Sequence, residues 1–256
     1  MVTEWTIGSE DWKERIHVGA ESLGITLNRS VVDRFSIHAL ELMRWNTKIN
    51  LTAITDPFEV AVKHYIDSIA PADLIPQRAR LLDIGSGAGF PGIPLKIMFP
   101  SMTATLIDAV RKKVSFLNHS GRTLQLKNFR ALHVRIEKGQ SIRGAQTGRR
   151  KNAVASSRKI PPVGGVFQKN FDVVVARALA TLDDVLLMAW PLLARKGRII
   201  ALKGRLTEAE IESASRTVER LMTKQERAIG SPRVFVKRYK LPFLGDERSI
   251  FAVRFD

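Results

Sequence analysis

The run Leu81-Leu82-Asp83-Ile84-Gly85-Ser86-Gly87-Ala88-Gly89-Phe90-Pro91-Gly92-Ile93-Pro94-Leu95 packs four glycines and two prolines into fifteen positions. Its first part, RLLDIG (80–85), is a short apolar run stopped by glycine, which suits a buried strand of a parallel sheet. Its last part, GIPLKIMF (92–99), suits a short helix. Pro94 falls in the first turn of that helix, where an amide has no partner to lose. Between them lies a glycine turn that lets the backbone approach a ligand where a Cβ would collide. The run is therefore a strand, a ligand-facing turn and a helix.

Working outward, the same alternation continues. TATLID (103–108) reads as a strand, RKKVSFLNHSGRTLQL (111–126) as a helix, FRALHV (129–134) and FDVVVAR (171–177) as strands. LATLDDVLLMAWPLLA (179–194) reads as a helix, GRIIALKG (197–204) as a strand and TEAEIESASRTVERLM (207–222) as a helix. Such alternation predicts an α/β fold with a Rossmann-like, doubly wound, mostly parallel sheet. RVFVKRYKLPF (233–243) and ERSIFAVRFD (247–256), joined by a short LGD turn, close it with an antiparallel pair. Upstream stand three helical patterns, capped by Ser9, Asn28 and the Asp56-Pro57 pair. They predict a helical extension over residues 1–75, ahead of the α/β domain over 76–256. Trp45 and Trp190 fall on apolar faces and are expected in the core.

The charge is unusual. Forty-one Lys and Arg against 25 Asp and Glu give +16, which argues for a polyanionic partner. Residues 138–170 hold eight of those cations and no acid. This stretch is expected to be a long mobile insertion, either contacting RNA or simply solvated. The other half of the charge belongs to the folded body. With no cysteine, disulfides, thiolate metal sites and cysteine nucleophiles are excluded. The five histidines show no ligand spacing, so no metal is expected. No apolar run reaches the length of a membrane span, and the N-terminus lacks a signal-peptide pattern, so a cytoplasmic protein is expected.

The glycine turn admits three ligands. A triphosphate requires a Lys-Ser or Lys-Thr after the glycines, which is missing. A GxGxxG dinucleotide string exists at Gly87, Gly89 and Gly92, but the strand has already ended at Gly85. The remaining pattern, D-x-G-x-G-x-G over Asp83, Gly85, Gly87 and Gly89, looks like the first motif of class I S-adenosylmethionine-dependent methyltransferases. Asp108, ending the next strand, is placed to accept ribose hydroxyls from either kind of cofactor. An NAD-linked oxidoreductase and a non-catalytic RNA-binding protein of the same fold stay open as alternatives. The glycine register and the closing antiparallel pair favour the methyltransferase. Among acceptors, pyrimidine C5 requires a cysteine, and exocyclic amines go with a Pro-Pro loop where ARALAT (176–181) stands. Ribose transfer requires an acid where Arg177 stands. Guanine N7, a nucleophile without activation, fits direct displacement with no acid–base residue; small-molecule and protein acceptors also remain.

Six segments together resemble one family. WNTKINLTAITDPFEVAVKHYIDSIA (45–70), LLDIGSGAGFPGIPL (81–95), LIDAVRKKVSFLN (106–118), VVARALATLDDVLLMA (174–189), GRIIALKG and GDERSIFAV (245–253) are similar to the RsmG (GidB) family. Those bacterial enzymes methylate N7 of a guanine in the 530 loop of 16S ribosomal RNA. The resemblance implies S-adenosylmethionine as cofactor, no metal, and 16S rRNA or the small ribosomal subunit as partner; a monomer is expected. It also implies cofactor contacts at Gly85, Phe90, Ile136, Glu137 and Arg177, beside Asp83, Gly87, Gly89 and Asp108 from the motif. Arg177 and Lys203 are candidates for positioning the acceptor. Asn46, Lys48, Asn50, Lys63 and His64 on the extension, with Lys203 and Arg205 at the end of the fifth strand, are candidate RNA contacts. The insertion at 138–170 departs from the family pattern directly after Glu137.

Overall fold

The computed structural model describes residues 6–136, 171–224 and 232–255. Glu137 and the basic insertion at 138–170 lie outside the described residues. Helix α1 spans Glu10–Ser22, with the Ser9 hydroxyl accepting the Trp12 amide. Helix α2 spans Arg29–Asn46, and the Asn28 side chain accepts the Val31 amide at 2.9 Å. These caps satisfy amides that the first helical turn leaves without partners. The third helix, α3, opens at Pro57–Glu59 under the Asp56 cap, continues as a π-helical stretch Val60–Ile66 and closes with Asp67–Ile69. The wider i→i+5 winding differs from the plain α-helix expected here. Within it Val60, Ala61, Val62, His64, Tyr65 and Ile66 are all buried.

The α/β part follows as β1 Arg80–Ile84, α4 Gly92–Met98, β2 Thr103–Asp108, α5 Arg111–Thr123 and β3 Phe129–His133. Then come β4 Phe171–Arg177, α6 Leu182–Ala189, β5 Leu193–Lys203, α7 Glu208–Lys224, β6 Pro232–Lys240 and β7 Glu247–Phe255. The sheet order is β3-β2-β1-β4-β5-β7-β6. The first five strands are mutually parallel and β7 runs antiparallel to both β5 and β6. This is the doubly wound sheet with its closing antiparallel pair. Strand order reverses between β1 and β4, and the crevice beyond the carboxyl ends at such a switch is where open α/β sheets bind ligands.

One helix is shorter than its apolar pattern suggests. α6 stops at Ala189, a 3₁₀ turn covers Trp190–Leu192, and β5 begins at Leu193. Pro191 supplies the reason: it has no amide to continue the helix and its ring clashes with the preceding turn.

Alternation along β1 sends Leu81 and Leu82 to opposite faces. Leu81 joins Trp12, Phe35, Leu42, Tyr65, Leu106 and Phe116 in a core shared with the helical extension. Leu82 joins Val174, Leu186, Trp190, Ile199 and Phe251 under α6 and α7. Trp190 is buried and Trp45 packs against the first core from its edge. The Trp12 indole N–H donates to the Pro57 carbonyl at 2.9 Å, tying α1 to α3. The extension thus covers one face of the sheet and reaches the carboxyl end of β4.

Candidate active site

The turn after β1 is held from below. The amides of Gly85 and Ser86 both donate to the Ile107 carbonyl, at 2.9 and 3.1 Å. Gly87 has φ +56°, a left-handed conformation, and a Cβ there would project into open space with nothing nearer than the Gly85 carbonyl at 3.9 Å. Gly92 is constrained differently: its Cβ would lie 2.6 Å from Asp83 Oδ2. Gly87 therefore keeps space clear above the turn, while Gly92 lets α4 pack on the strand. Asp108 closes the other side. Its Oδ2 accepts the Gly87 amide at 3.0 Å and its Oδ1 the Val110 amide at 2.7 Å. A carboxylate has further lone pairs, so acceptor capacity remains at this edge. Asp83, the three motif glycines and Asp108 are thus brought together.

Leu179, in the loop after β4, packs where a Cβ on Gly85 would lie, 2.7 Å from its Cδ1. Nothing in the sequence singled it out. Its neighbours Ala178 and Ala180 have φ of +50° and +35°, rare for residues with a Cβ. The Lys203 ammonium holds this loop, donating to the Leu179 carbonyl at 3.1 Å and to the Ala180 carbonyl. Burial pulls the Lys203 pKa down. Ile136 is half-buried at the margin of the same core as Leu179.

Asp83 is fully buried; Oδ2 accepts the Gly92 amide at 2.9 Å, while Oδ1 has no hydrogen-bond partner. Burial pushes its carboxyl up to about 7. Burial likewise holds His38 and His64 down at about 3. The two effects oppose one another in stability. A raised Asp83 contributes stability below its unfolded pKa, and this is lost as pH rises through 7. The depressed histidines contribute stability above their unfolded pKa near 6.5, and this is lost as pH falls toward 3. Between pH 4.5 and 6.5 two histidines act against one aspartate, so net stability rises with pH. We expect the urea midpoint of the cofactor-free protein to climb across that window. In Asp83→Asn it should climb more steeply, by about 1.4 kcal/mol per pH unit for the proton removed from the balance. Parallel slopes for the two proteins would contradict this assignment.

Arg177, at the end of β4, turns toward α3. Its Nη1 donates to the Lys63 carbonyl at 2.9 Å and to Asp67 Oδ2 at 3.3 Å, and Nη2 lies 3.5 Å from His64 Nδ1. The guanidinium carbon sits 5.0 Å from the Phe90 ring centre. Asp67 is a buried hub that also accepts the Tyr239 hydroxyl at 2.8 Å and has Arg248 Nε at 3.5 Å. The His64 ring stacks on Phe90 with centroids 4.5 Å apart. Because a guanidinium only donates, His64 Nδ1 is the acceptor and its Nε2–H donates to Thr52 Oγ1 at 2.9 Å.

Several sequence expectations change accordingly. His64 is 6% exposed and does not reach an RNA-facing surface, its ring stacked on Phe90. Phe90 is 4% exposed, its ring packed between His64 and the Arg177 guanidinium. Asn46 is a turn cap: Oδ1 accepts the Leu51 and Thr52 amides at 2.8 and 3.0 Å, and Nδ2 donates to the Thr52 carbonyl at 2.9 Å. Asn46→Ala should cost about 1–3 kcal/mol in chemical denaturation through unsatisfied backbone groups. A loss of RNA affinity at unchanged stability would instead restore its surface role. Lys63 is half-buried and paired with Glu59 one turn away. Lys48 and Asn50 are exposed beside Asn46. Arg205 is exposed and pairs with Glu247 at 3.3 Å.

Among the described residues, no helix is long and apolar enough to cross a membrane. The fold resembles that of an O-methyltransferase from Bacillus cereus in complex with SAH, with a TM-score of 0.51 at 14% identity over 96% of this chain and 99% of that one. A likeness at that identity speaks for the fold alone. The sequence comparisons go further. A ribosomal RNA small subunit methyltransferase G of Geobacter sulfurreducens is 37% identical over 93% of this chain and 94% of its own length. The protein of that name from Staphylococcus aureus is 33% identical over 99% of this chain and 90% of its own. The family profile described as rRNA small subunit methyltransferase G (GidB) matches residues 32–160 and 166–232. With its glycine turn, Asp108 and switch-point crevice in place, the chain belongs to the rRNA small subunit methyltransferase G (GidB) family, whose members are S-adenosylmethionine-dependent enzymes.

Proposed function

We propose that the protein transfers the methyl group of S-adenosylmethionine to N7 of a guanine in the 530 loop of 16S rRNA, in the cytoplasm, as a monomer and without a metal. The observation that carries this reading is the pairing of Gly87, open on its Cβ side, with Asp108 at the switch point. When bound, S-adenosylmethionine would supply an electrophilic sulfonium methyl, open to in-line attack by an unprotonated ring nitrogen, with S-adenosylhomocysteine as the leaving group.

The protein's work is then alignment and electrostatics rather than proton transfer. Asp108 accepts the ribose hydroxyls, and its bond to the Gly87 amide keeps the turn in register with them. The backbone from Gly85 to Gly89, with that of Phe90, lines the methionyl side. Asp83 offers its unpartnered oxygen beneath that turn to a donor such as the methionyl amine. Ile136 and Glu137, after β3, would supply a further contact to the cofactor. Arg177 keeps a positive charge beside the crevice, and Lys203 holds the Leu179–Ala180 loop that borders it. Lys48 and Asn50 remain as RNA contacts on the extension.

The test is transfer of labelled methyl to 16S rRNA or small subunits, followed by strand scission at 7-methylguanosine. Scission confined to the 530 loop supports the proposal. Label at another base or in another molecule overturns it.

A further inference from the structure

A hollow of about 730 Å³ is lined by the cations Arg205, Arg238, Lys240 and Arg248, by Tyr239, and by the carboxylates Glu208 and Glu247. Topology puts it on the reactive edge of the sheet. Lys203, ending β5, pairs with Ser249 near the start of β7, and Arg238, Tyr239 and Lys240 of β6 pair with Ser249, Arg248 and Glu247. Since β7 is antiparallel to both neighbours, these ends all lie at the carboxyl edge of the parallel strands. From β1 to β7 is three strand spacings, roughly 14 Å, so the hollow shares an edge with the glycine turn but is a separate place along it.

We propose that this hollow is a subsite for the RNA strand, taking the phosphodiester-linked nucleotides that flank the target guanine; this rests on the RNA methylation proposed above. Four cations face two carboxylates there. Each carboxylate is engaged by a rim arginine, Arg238 with Glu208 and Arg205 with Glu247. Such exposed pairs are weak, so a phosphate can take the place of either carboxylate. Lys240 is exposed and has no acidic partner among the described residues. The back wall, by contrast, is fixed. Tyr239 and Arg248 both converge on Asp67, the carboxylate that also holds Arg177. A wall anchored to the crevice behind a rim of exchangeable cations suits a strand whose next nucleotide reaches the methyl donor. The volume is in the range of small-ligand sites and exceeds what one phosphate fills. The first turn of α7 adds little attraction, because Glu210 already accepts the Thr207 amide.

The test compares wild type with the double variant Arg238→Gln, Lys240→Gln, using in vitro transcribed 16S rRNA and small subunits. We expect KM for RNA to rise roughly tenfold or more and the salt slope of RNA binding to fall by about 1.4, from two lost phosphate contacts on single-stranded RNA. Affinity for S-adenosylhomocysteine and the melting temperature should stay at wild-type values. If the double variant unfolds, Arg205→Gln, whose side chain is 81% exposed, serves in its place with half the change in slope. Unchanged KM and salt slope in a folded variant overturn the subsite. So does a defect seen with small subunits and not with RNA alone, which would assign the hollow to a ribosomal protein. A wild-type protein that methylates no rRNA defeats the proposed activity itself; direct RNA binding by the variants then still decides the subsite.

Discussion

Gly87→Val is expected to abolish measurable binding of S-adenosylmethionine while leaving a folded protein. The residue has φ +56°, and a Cβ there would meet only the Gly85 carbonyl, at 3.9 Å, which is ordinary contact. The cost to the fold is the strain of a β-branched residue in the left-handed region, about 1–3 kcal/mol. The cost to the cofactor is larger. The new methyl groups fill the space above the turn, and relaxation of the strained backbone draws the Gly87 amide away from Asp108. A loss of at least about 100-fold in affinity, near 3 kcal/mol, should appear in calorimetric titration with S-adenosylhomocysteine. Thermal denaturation of the same sample checks the fold. Gly92→Ala supplies the contrast: its Cβ would lie 2.6 Å from a buried carboxylate oxygen, so stability should fall first. Wild-type cofactor affinity in Gly87→Val would remove the glycine turn from the site.

Arg177→Met should destabilise the protein by about 3 kcal/mol, at the lower end of what breaking a buried ion pair costs. The guanidinium serves the Lys63 carbonyl and Asp67 at once, and methionine replaces its volume without either bond. Asp67 is then left buried with less compensation. It keeps the Tyr239 hydroxyl and the neighbouring Arg248, which is why the higher end of the range is not expected. Adding Asp67→Asn should recover part of the loss, because the uncompensated charge goes with it. Urea denaturation of the two single variants and the double variant reads this coupling directly. Wild-type stability in Arg177→Met would mean that the arginine is held by ligand rather than by α3.

Much of the site could be read from residue order, because its parts are backbone features. A left-handed turn needs glycine, a strand ends where its apolar run ends, and the acid closing β2 lies at the ligand edge by topology. Asp83, Gly85, Gly87, Gly89 and Asp108 therefore fall together as their spacing implies. Side-chain direction on α3 was not legible in the same way. Lys63 and His64 read as polar surface residues of a cap helix, yet His64 lies in the core against Phe90. Asn46 reads as polar surface until the backbone of Leu51 and Thr52 turns onto it. Leu179 carried no signal at all, since its place against Gly85 follows from the left-handed conformations of the alanines beside it.

The order of residues alone thus sets the strand–turn–helix grammar, the parallel sheet with its antiparallel closure and the left-handed glycine turn. All of these follow from local conformational preference and hydrophobic period. Tertiary packing sets which polar groups face solvent and which are consumed internally. Arg177, His64 and Asn46 each satisfy buried partners from segments far away or from a turn folded back on itself. It also decided that cations from β6, β7 and the end of β5 share one hollow. Those meetings depend on strand order across the sheet, and strand order is settled by how the whole chain packs.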